Sequence, residues 1–540
     1  MLFISEDESL FFIFHIEVNA GFTPPHQKYS MILILDFGSQ YTQLIARRIR
    51  EQSVYCEIQP CTIDLAAIQS FKPEGIILSG GPSSVLGELS PTVDKAVFSW
   101  GIPILGICYG QQLIASLLGG KVQSSEHSEY GRTEIQFEKN SPFFADIPDQ
   151  EPLTVWMSHG DLVTEAPAGF QVLATSTNSP FAAIADPEKK IYGIQFHPEV
   201  THTDYGIQIL KNFTFNICKC EANWDMAAFL ETKTNEIKAQ VGEEKVICGL
   251  SGGVDSSVVA VMLHKAIGDR LTCVFVNNGL LRKGEAERVV ELFSRHYKIN
   301  LVHVDATDTF LTKLKDISDP ELKRKIIGNE FIQIFEQEAA KLKDIKFLAQ
   351  GTLYPDVIES ESFKGPSAVI KSHHNVGGLP ENMKMSLVEP LRELFKDEVR
   401  ELGKALGVDE ELIHRHPFPG PGLGIRILGE ISREKIAVLQ EADYIVMQEI
   451  KAAGWYRKVW QSFAVLLPIK SVGVMGDART YDWTIAIRCV NSTDAMTADW
   501  VPLPYELLGR ISNRIINEVK KINRVVYDIT SKPPGTIEWE

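Results

Sequence analysis

Cys108 lies between glycines in Gly106-Ile107-Cys108-Tyr109-Gly110-Gln111-Gln112, directly after an apolar run and before a helix-favouring stretch. A thiol on such a strand-to-helix turn sits near a helix N-terminus, which stabilises a thiolate, and the Tyr109 N–H is offered to an oxyanion. Downstream, Gly193-Ile194-Gln195-Phe196-His197-Pro198-Glu199 supplies a proton carrier in His197 and a carboxylate in Glu199 that can orient it. A third loop, Ser79-Gly80-Gly81-Pro82, follows the apolar run 75–78, and Gly81 is its candidate for a second oxyanion donor. A lone cysteine is more often a packing residue. Three such loops, each after a strand, point instead to a thiol nucleophile served by a proton carrier and an oxyanion site.

A second set of residues is suited to phosphate. The strand-like run 246–249 feeds Ser251-Gly252-Gly253-Val254-Asp255-Ser256-Ser257, and an apolar helix follows. Glycines admit the oxygens to the main chain, hydroxyls donate, and the helix start favours negative charge. The loop lacks the lysine of a Walker motif and the third glycine of the dinucleotide fingerprint. Asp255 is a hard oxygen ligand suited to magnesium, and Asp356, in the acid-ended segment 351–360, is a second candidate. The basic, glycine-rich segment 371–380 suits a lid over phosphates. Its His373 and His374 are adjacent on an extended stretch and point apart, so they do not read as a zinc pair. Lys396, taken alone, reads as a solvated helix charge paired with Glu393 or with neighbours of Arg400.

The elements that must hold these groups are legible as alternating apolar runs and amphipathic stretches. The 540 residues allow three or four domains at about 150 residues each. Residues 31–222 and 223–415 both read as doubly wound α/β units with mainly parallel sheets. The stiff joint Pro417-Phe418-Pro419-Gly420-Pro421-Gly422 introduces a smaller α+β domain over 416–540. The apolar run 10–16 is too short to span a bilayer and lacks a basic start. The compact fold is therefore expected from Met31, with 1–30 as an extension outside it. A net charge of −16 argues against a general nucleic-acid binder. Eight cysteines, scattered without metal spacing, suit a reducing cytoplasm.

The loop 251–257 resembles the pyrophosphate loop of enzymes that split ATP into AMP and pyrophosphate. The three loops around Cys108 resemble class I glutamine amidotransferases, which implies a γ-glutamyl thioester on Cys108, release of ammonia, and contact of Gln112 with glutamine. Further segments extend the likeness: Gly279-Leu280-Leu281-Arg282, Lys323-Arg324-Lys325, Leu394-Phe395-Lys396-Asp397, and Ser531-Lys532-Pro533-Pro534-Gly535-Thr536-Ile537-Glu538. With these, residues 31–540 resemble the glutamine-hydrolysing GMP synthase family. The resemblance implies adenylylation of the 2-oxygen of xanthosine 5′-monophosphate (XMP) and attack by ammonia, with ATP and Mg²⁺. It assigns Arg324, Gln461, Lys532 and Glu538 to XMP, Lys396 to neutralising phosphate charge, and 416–540 to a homodimer contact. Asn277 departs from the pattern, standing where many members carry Asp. The expected partners are XMP, ATP and glutamine, without nucleic acid or membrane, in the cytoplasm. Three other readings stay open: an amidating NAD synthetase, a catalytically silent nucleotide-binding regulator, and a tRNA-modifying adenylylase. Nucleotide dependence of AMP release and glutamate release from glutamine discriminate among them.

Overall fold

The computed structural model describes residues 29–87, 89–148, 152–342, 344–361, 385–475, 477–492 and 497–540. The chain divides into two compact units, one ending at Asp225 and the other beginning at Met226.

The first unit is built on β1 (Met31–Asp36), β2 (Tyr55–Pro60), β3 (Gly75–Leu78), β4 (Ile104–Ile107), β5 (Lys121–Phe137), β6 (Leu153–Glu165), β7 (Gln171–Ser176), β8 (Ala183–Asp186) and β9 (Ile191–Ile194). They form one sheet in the order β2-β1-β3-β4-β9-β8-β7-β5-β6. From β2 to β9 the pairings are parallel, and from β9 to β6 they are antiparallel. The parallel strands β3, β4 and β9 are buried along their whole length, as apolar strands covered on both faces must be. The expected parallel sheet is thus the half that carries the three loops, and an antiparallel extension continues it.

The helix Tyr109–Leu118 approaches this sheet closely at two glycines. A Cβ at Gly110 would lie 2.4 Å from the Leu78 carbonyl oxygen, and one at Gly106 would lie 2.5 Å from the Gly110 carbonyl carbon. The expected start at Met31 needs a small correction. Tyr29 is buried edge-on against Trp224, with ring centroids 5.1 Å apart, and the Ser30 N–H donates to Asn223 Oδ1 at 3.1 Å. These two residues belong to the fold, and the remainder of the expected extension lies outside the described residues.

The second unit opens with β10 (Lys245–Gly249), β11 (Leu271–Asn277), β12 (Asn300–Asp305), β13 (Ile345–Ala349) and β14 (Ser386–Val388), all parallel, in the order β12-β11-β10-β13-β14. The order reverses beside β10, which opens a crevice at its carboxyl end. Then follow the antiparallel pair β15 (Gln461–Met475) and β16 (Ala478–Asn491), β17 (Asp499–Trp500) and β18 (Ile522–Tyr527). One apolar core joins the two regions, with Ile247, Val274 and Leu280 clustered with Leu439, Val446, Ile485 and Ile511. The chain beyond the proline-rich joint is therefore packed into the same unit as the parallel sheet.

Candidate active sites

The three loops of the first unit leave the carboxyl ends of adjacent parallel strands β3, β4 and β9, so one sheet edge gathers them. Cys108 has φ +51° and ψ −103°, a sharp turn between β4 and the following helix. Its sulfur is bracketed by the Ser158 carbonyl and the Gln195 side-chain amide, each at 3.6 Å. His197 Nδ1 is 2.7 Å from Glu199 Oε1, and His197 is also hydrogen-bonded to Cys108. All three side chains are buried. Burial works against a charged imidazole here. The Glu199 charge and the hydrogen bonds to Cys108 and Glu199 outweigh it and hold His197 well above the ordinary histidine range. Thr203 Oγ1 donates to the His197 carbonyl at 2.6 Å, and Arg48 Nε donates to the Glu199 carbonyl at 3.1 Å, so the backbone of this loop is also tied.

Gly80 lies against the pair: a Cβ there would be 3.2 Å from His197 Cε1 and 3.7 Å from Cys108 Cβ. The neighbouring Gly81 packs on the Phe37 carbonyl. Tyr109 opens the helix, and burial, then the nearby Cys61, pushes its phenol up to about 12. Its hydroxyl is spent on the Pro91 carbonyl, so the group it can offer to the thiol site is its backbone N–H. Gln112 is buried, with its amide donating to the Asp161 carbonyl at 2.8 Å and to Gln195 Oε1 at 3.3 Å.

In the second unit, the loop between β10 and the helix Val254–Ile267 is shaped by its own serines. Ser251 Oγ and Ser256 Oγ are 2.9 Å apart, Gly253 N–H donates to Ser251 Oγ at 3.2 Å, and Ser257 Oγ donates to the Gly253 carbonyl at 2.6 Å. Gly252 has φ +73°, and a Cβ there would lie 2.7 Å from Val289 Cγ2. Only glycine meets both conditions cheaply. Arg415 Nη1 donates to the Gly252 carbonyl at 2.7 Å while the same guanidinium pairs with Glu285.

Asp255 and Lys396 form an ion pair across the mouth of this loop. Lys396 starts the helix Lys396–Ala405, and the expected pairing with Glu393 does not occur, because Glu393 Oε1 is held by Lys233 at 2.6 Å. Asp255 Oδ1 is buried without a hydrogen-bond partner among the described residues. Asp356 has a local role, its Oδ2 accepting the Leu353 N–H at 3.0 Å at the start of the helix Tyr354–Glu361. Among the described residues, no group of three or more His, Cys, Asp or Glu side chains able to hold a metal occurs. Asn277 Oδ1 accepts the Gly279 N–H at 3.0 Å, which makes it a turn residue here. The expected lid, 371–380, lies outside the described residues.

Two of the residues tied by resemblance to XMP are in direct contact. Gln461 Nε2 donates to Glu538 Oε1 at 2.9 Å. Arg324 Nη2 reaches the Glu540 carbonyl, two residues further on, at 2.5 Å. Lys532 is set apart from these bonds. It exchanges backbone hydrogen bonds with Ala498 and lines a cavity of about 340 Å³ with Lys458, Asn491 and Asp499. Sequence reasoning missed Ser158, Gln195, Arg415 and Arg426. The last had one signal, a lone cation inside the apolar run Leu423-Gly424-Ile425-Arg426-Ile427-Leu428.

Comparisons with known proteins give three family matches: glutamine amidotransferase class-I over residues 33–217, NAD synthase over 225–327, and GMP synthase C terminal domain over 448–539. The chain is 60% identical over 514 residues to the glutamine-hydrolysing GMP synthase of Maridesulfovibrio salexigens, covering 95% of this chain and 100% of that one. It is 61% identical over 511 residues to the enzyme of the same description from Carboxydothermus hydrogenoformans (95% and 100% covered). With the one from Bacillus subtilis it shares 58% identity over 510 residues, 94% and 99% of the two chains.

Proposed function

The chain belongs to the glutamine-hydrolysing GMP synthase family, and from that premise we propose how its own residues carry the reaction. That reaction is the ATP-dependent amination of XMP to GMP, with nitrogen drawn from glutamine and with AMP, pyrophosphate and glutamate released. Full-length identity near this level, with the C-terminal family match, sets the NAD synthetase reading aside even though residues 225–327 match that model.

In the first unit the Cys108 sulfur attacks the side-chain carboxamide of glutamine, whose contacts include Gln112. The N–H groups of Gly81 and Tyr109 hold the oxyanion, and His197 gives the proton with which ammonia leaves. Water then cleaves the thioester, His197 takes its proton, and glutamate departs. Glu199 keeps the imidazole oriented and cationic. The short His197–Glu199 contact and the raised His197 support these roles.

In the second unit the 2-oxygen of XMP attacks the α-phosphorus of ATP and expels pyrophosphate, which the loop of Ser251, Gly252, Gly253, Val254, Asp255, Ser256 and Ser257 cradles. Ammonia then displaces AMP at C2. Lys396 neutralises charge on the phosphates during adenylylation. Arg324 and Lys532 answer the monophosphate, while Gln461 and Glu538 face the base. The unpartnered Asp255 Oδ1, beside an Oδ2 that already faces a cation, is a hard-oxygen site that fits Mg²⁺, with Asp356 as the second candidate ligand. When bound, the ion supplies charge neutralisation to the phosphates of ATP.

We assign glutamine use to 31–222, adenylylation to 223–415, and completion of the nucleotide site and self-association to 416–540. The paired strands β15 and β16 carry Ile469, Val472, Val474 and Tyr481 exposed, which supports a homodimer through this region. The scattered cysteines and acidic charge support a cytoplasmic enzyme whose other partners are small molecules. One observation carries the whole reading: the buried Cys108–His197–Glu199 line stands on a chain that also bears the Ser-Gly-Gly loop. The test is AMP release with XMP, ATP, Mg²⁺ and glutamine, each omitted in turn. Every omission should abolish AMP, except that ammonium should replace glutamine; AMP formed without XMP would overturn the assignment.

A further inference from the structure

Arg426 is fully buried. A cation in such a place must be paired, and this one is paired with a carboxylate. Its Nε and Nη2 donate to the two oxygens of Glu538 at 3.0 and 2.8 Å, the fork geometry that a guanidinium makes and an ammonium cannot. The guanidinium carbon lies 4.0 Å from the Phe463 ring centre and 5.1 Å from that of Phe418, so two aromatic rings hold it in place. Its backbone is pinned as well, with the carbonyl accepting the Leu466 N–H at 2.8 Å. Arg426 Nη1 has no acceptor among the described residues.

A buried ion pair is weak as a stabilising device, because apolar residues of similar volume often hold a core as well or better. What the pair does that apolar packing cannot is hold a carboxylate aimed. A carboxylate has roughly four acceptor sites. Arg426 takes two of those on Glu538, and Gln461 takes a third on Oε1, which leaves Oε2 able to accept one more donor.

We propose that Arg426 is a positioning residue for purine recognition: it fixes the direction of Glu538 so that Oε2 accepts a ring N–H of the base. This rests on the reading of Glu538 as a contact to XMP. Gln461, anchored by its donation to the Pro417 carbonyl at 3.1 Å, closes the other side of the same carboxylate.

The test compares Arg426→Lys, Arg426→Met and Glu538→Gln in the full-length enzyme, measuring AMP release with ammonium as nitrogen source. Arg426→Lys keeps the charge and loses the fork. Its KM for XMP should rise roughly tenfold while its KM for ATP stays within about twofold, with a larger XMP effect for Arg426→Met. In a Glu538→Gln background, Arg426→Lys should add little further loss, because both changes remove the same contact. An unchanged KM for XMP in Arg426→Lys, a parallel rise for XMP and ATP, or fully additive losses in the double variant would each overturn the inference. A wild type that releases AMP without regard to XMP sinks the substrate reading and this inference together. A wild type dependent on XMP beside an indifferent Lys variant sinks this inference alone.

Discussion

The thiol site of the first unit and the phosphate loop of the second share one plan, a turn at the carboxyl end of a parallel strand leading into a helix, yet they treat hydrogen bonds in opposite ways. Around Cys108 the partners are neighbours fixed by the fold: Ser158 of β6 and Gln195 just after β9 on the sulfur, Glu199 on His197, and Thr203 and the helical Arg48 on the loop backbone. Around Ser251 the donors are turned on one another, and the one charged group, Asp255, is matched by a lysine about half exposed. The first arrangement suits a nucleophile, whose geometry must exist before substrate arrives. The second suits a cradle, whose hydroxyls and amides are free to exchange one another for a phosphate. The lesson is that preorganisation is placed where bonds to the protein form, and exchangeability where a ligand carries its own charge.

The largest effect that would break this contrast comes from Cys108→Ala. Glutamine-driven AMP formation should fall by at least about a thousandfold while ammonium-driven formation persists. Loss of both would mean that the two sites are not separate. Next, Asp255→Asn should cut AMP release from either nitrogen source by roughly a hundredfold or more, because it removes the only charged group of the loop. Retained turnover would show that the loop works without its carboxylate.

Glu199→Gln sharpens the comparison through pH. His197 is held above the ordinary histidine value, so the pair contributes stability that is fully present below that ordinary value, near 6.5, and is lost as pH rises through the raised one. Urea unfolding of the wild type should therefore show the first unit weakening on the alkaline side, with a flatter profile in the variant. Glutaminase activity of that variant should fall about a hundredfold. Lys396→Met should lower the rate of AMP release by about tenfold with a smaller change in KM for ATP, since its charge acts as the phosphates separate. The smallest change in turnover is expected from Val474→Asp on the exposed hairpin. Sedimentation should show it shifted from dimer towards monomer, and an unaltered mass would remove that surface from the dimer contact.

Much of the architecture could be read from residues alone, for identifiable reasons. Strands β3, β4, β10 and β11 are short apolar runs because both faces are covered, so they stand out against polar surroundings. The antiparallel extension was not legible. β5 runs Lys121–Phe137 with mostly polar residues, and its register shifts between Ser124 and Glu129, which erases the alternation that marks a half-buried strand. At the sites, Cys108 and His197 were legible as candidates because each closely follows a short apolar strand. Their supporting contacts were not. Lys396 meets Asp255 across 141 positions of chain and Arg426 meets Glu538 across 112, and no local period encodes either meeting. Taken by itself, Lys396 read as a partner for Glu393, and the fold gave that carboxylate to Lys233 instead.

The contact of Gly106 with Gly110, and of Gly110 with the Leu78 carbonyl, has a mechanical consequence. Backbone rests on backbone there, so the spacing between the sulfur's turn and the strand beneath is set by covalent frames, not by side chains that hop between rotamers. Core substitutions elsewhere in the first unit should therefore erode its melting temperature well before they blur the line of attack. At this crossing even one added methyl would act as a shim that tilts the helix and carries the Tyr109 amide out of aim.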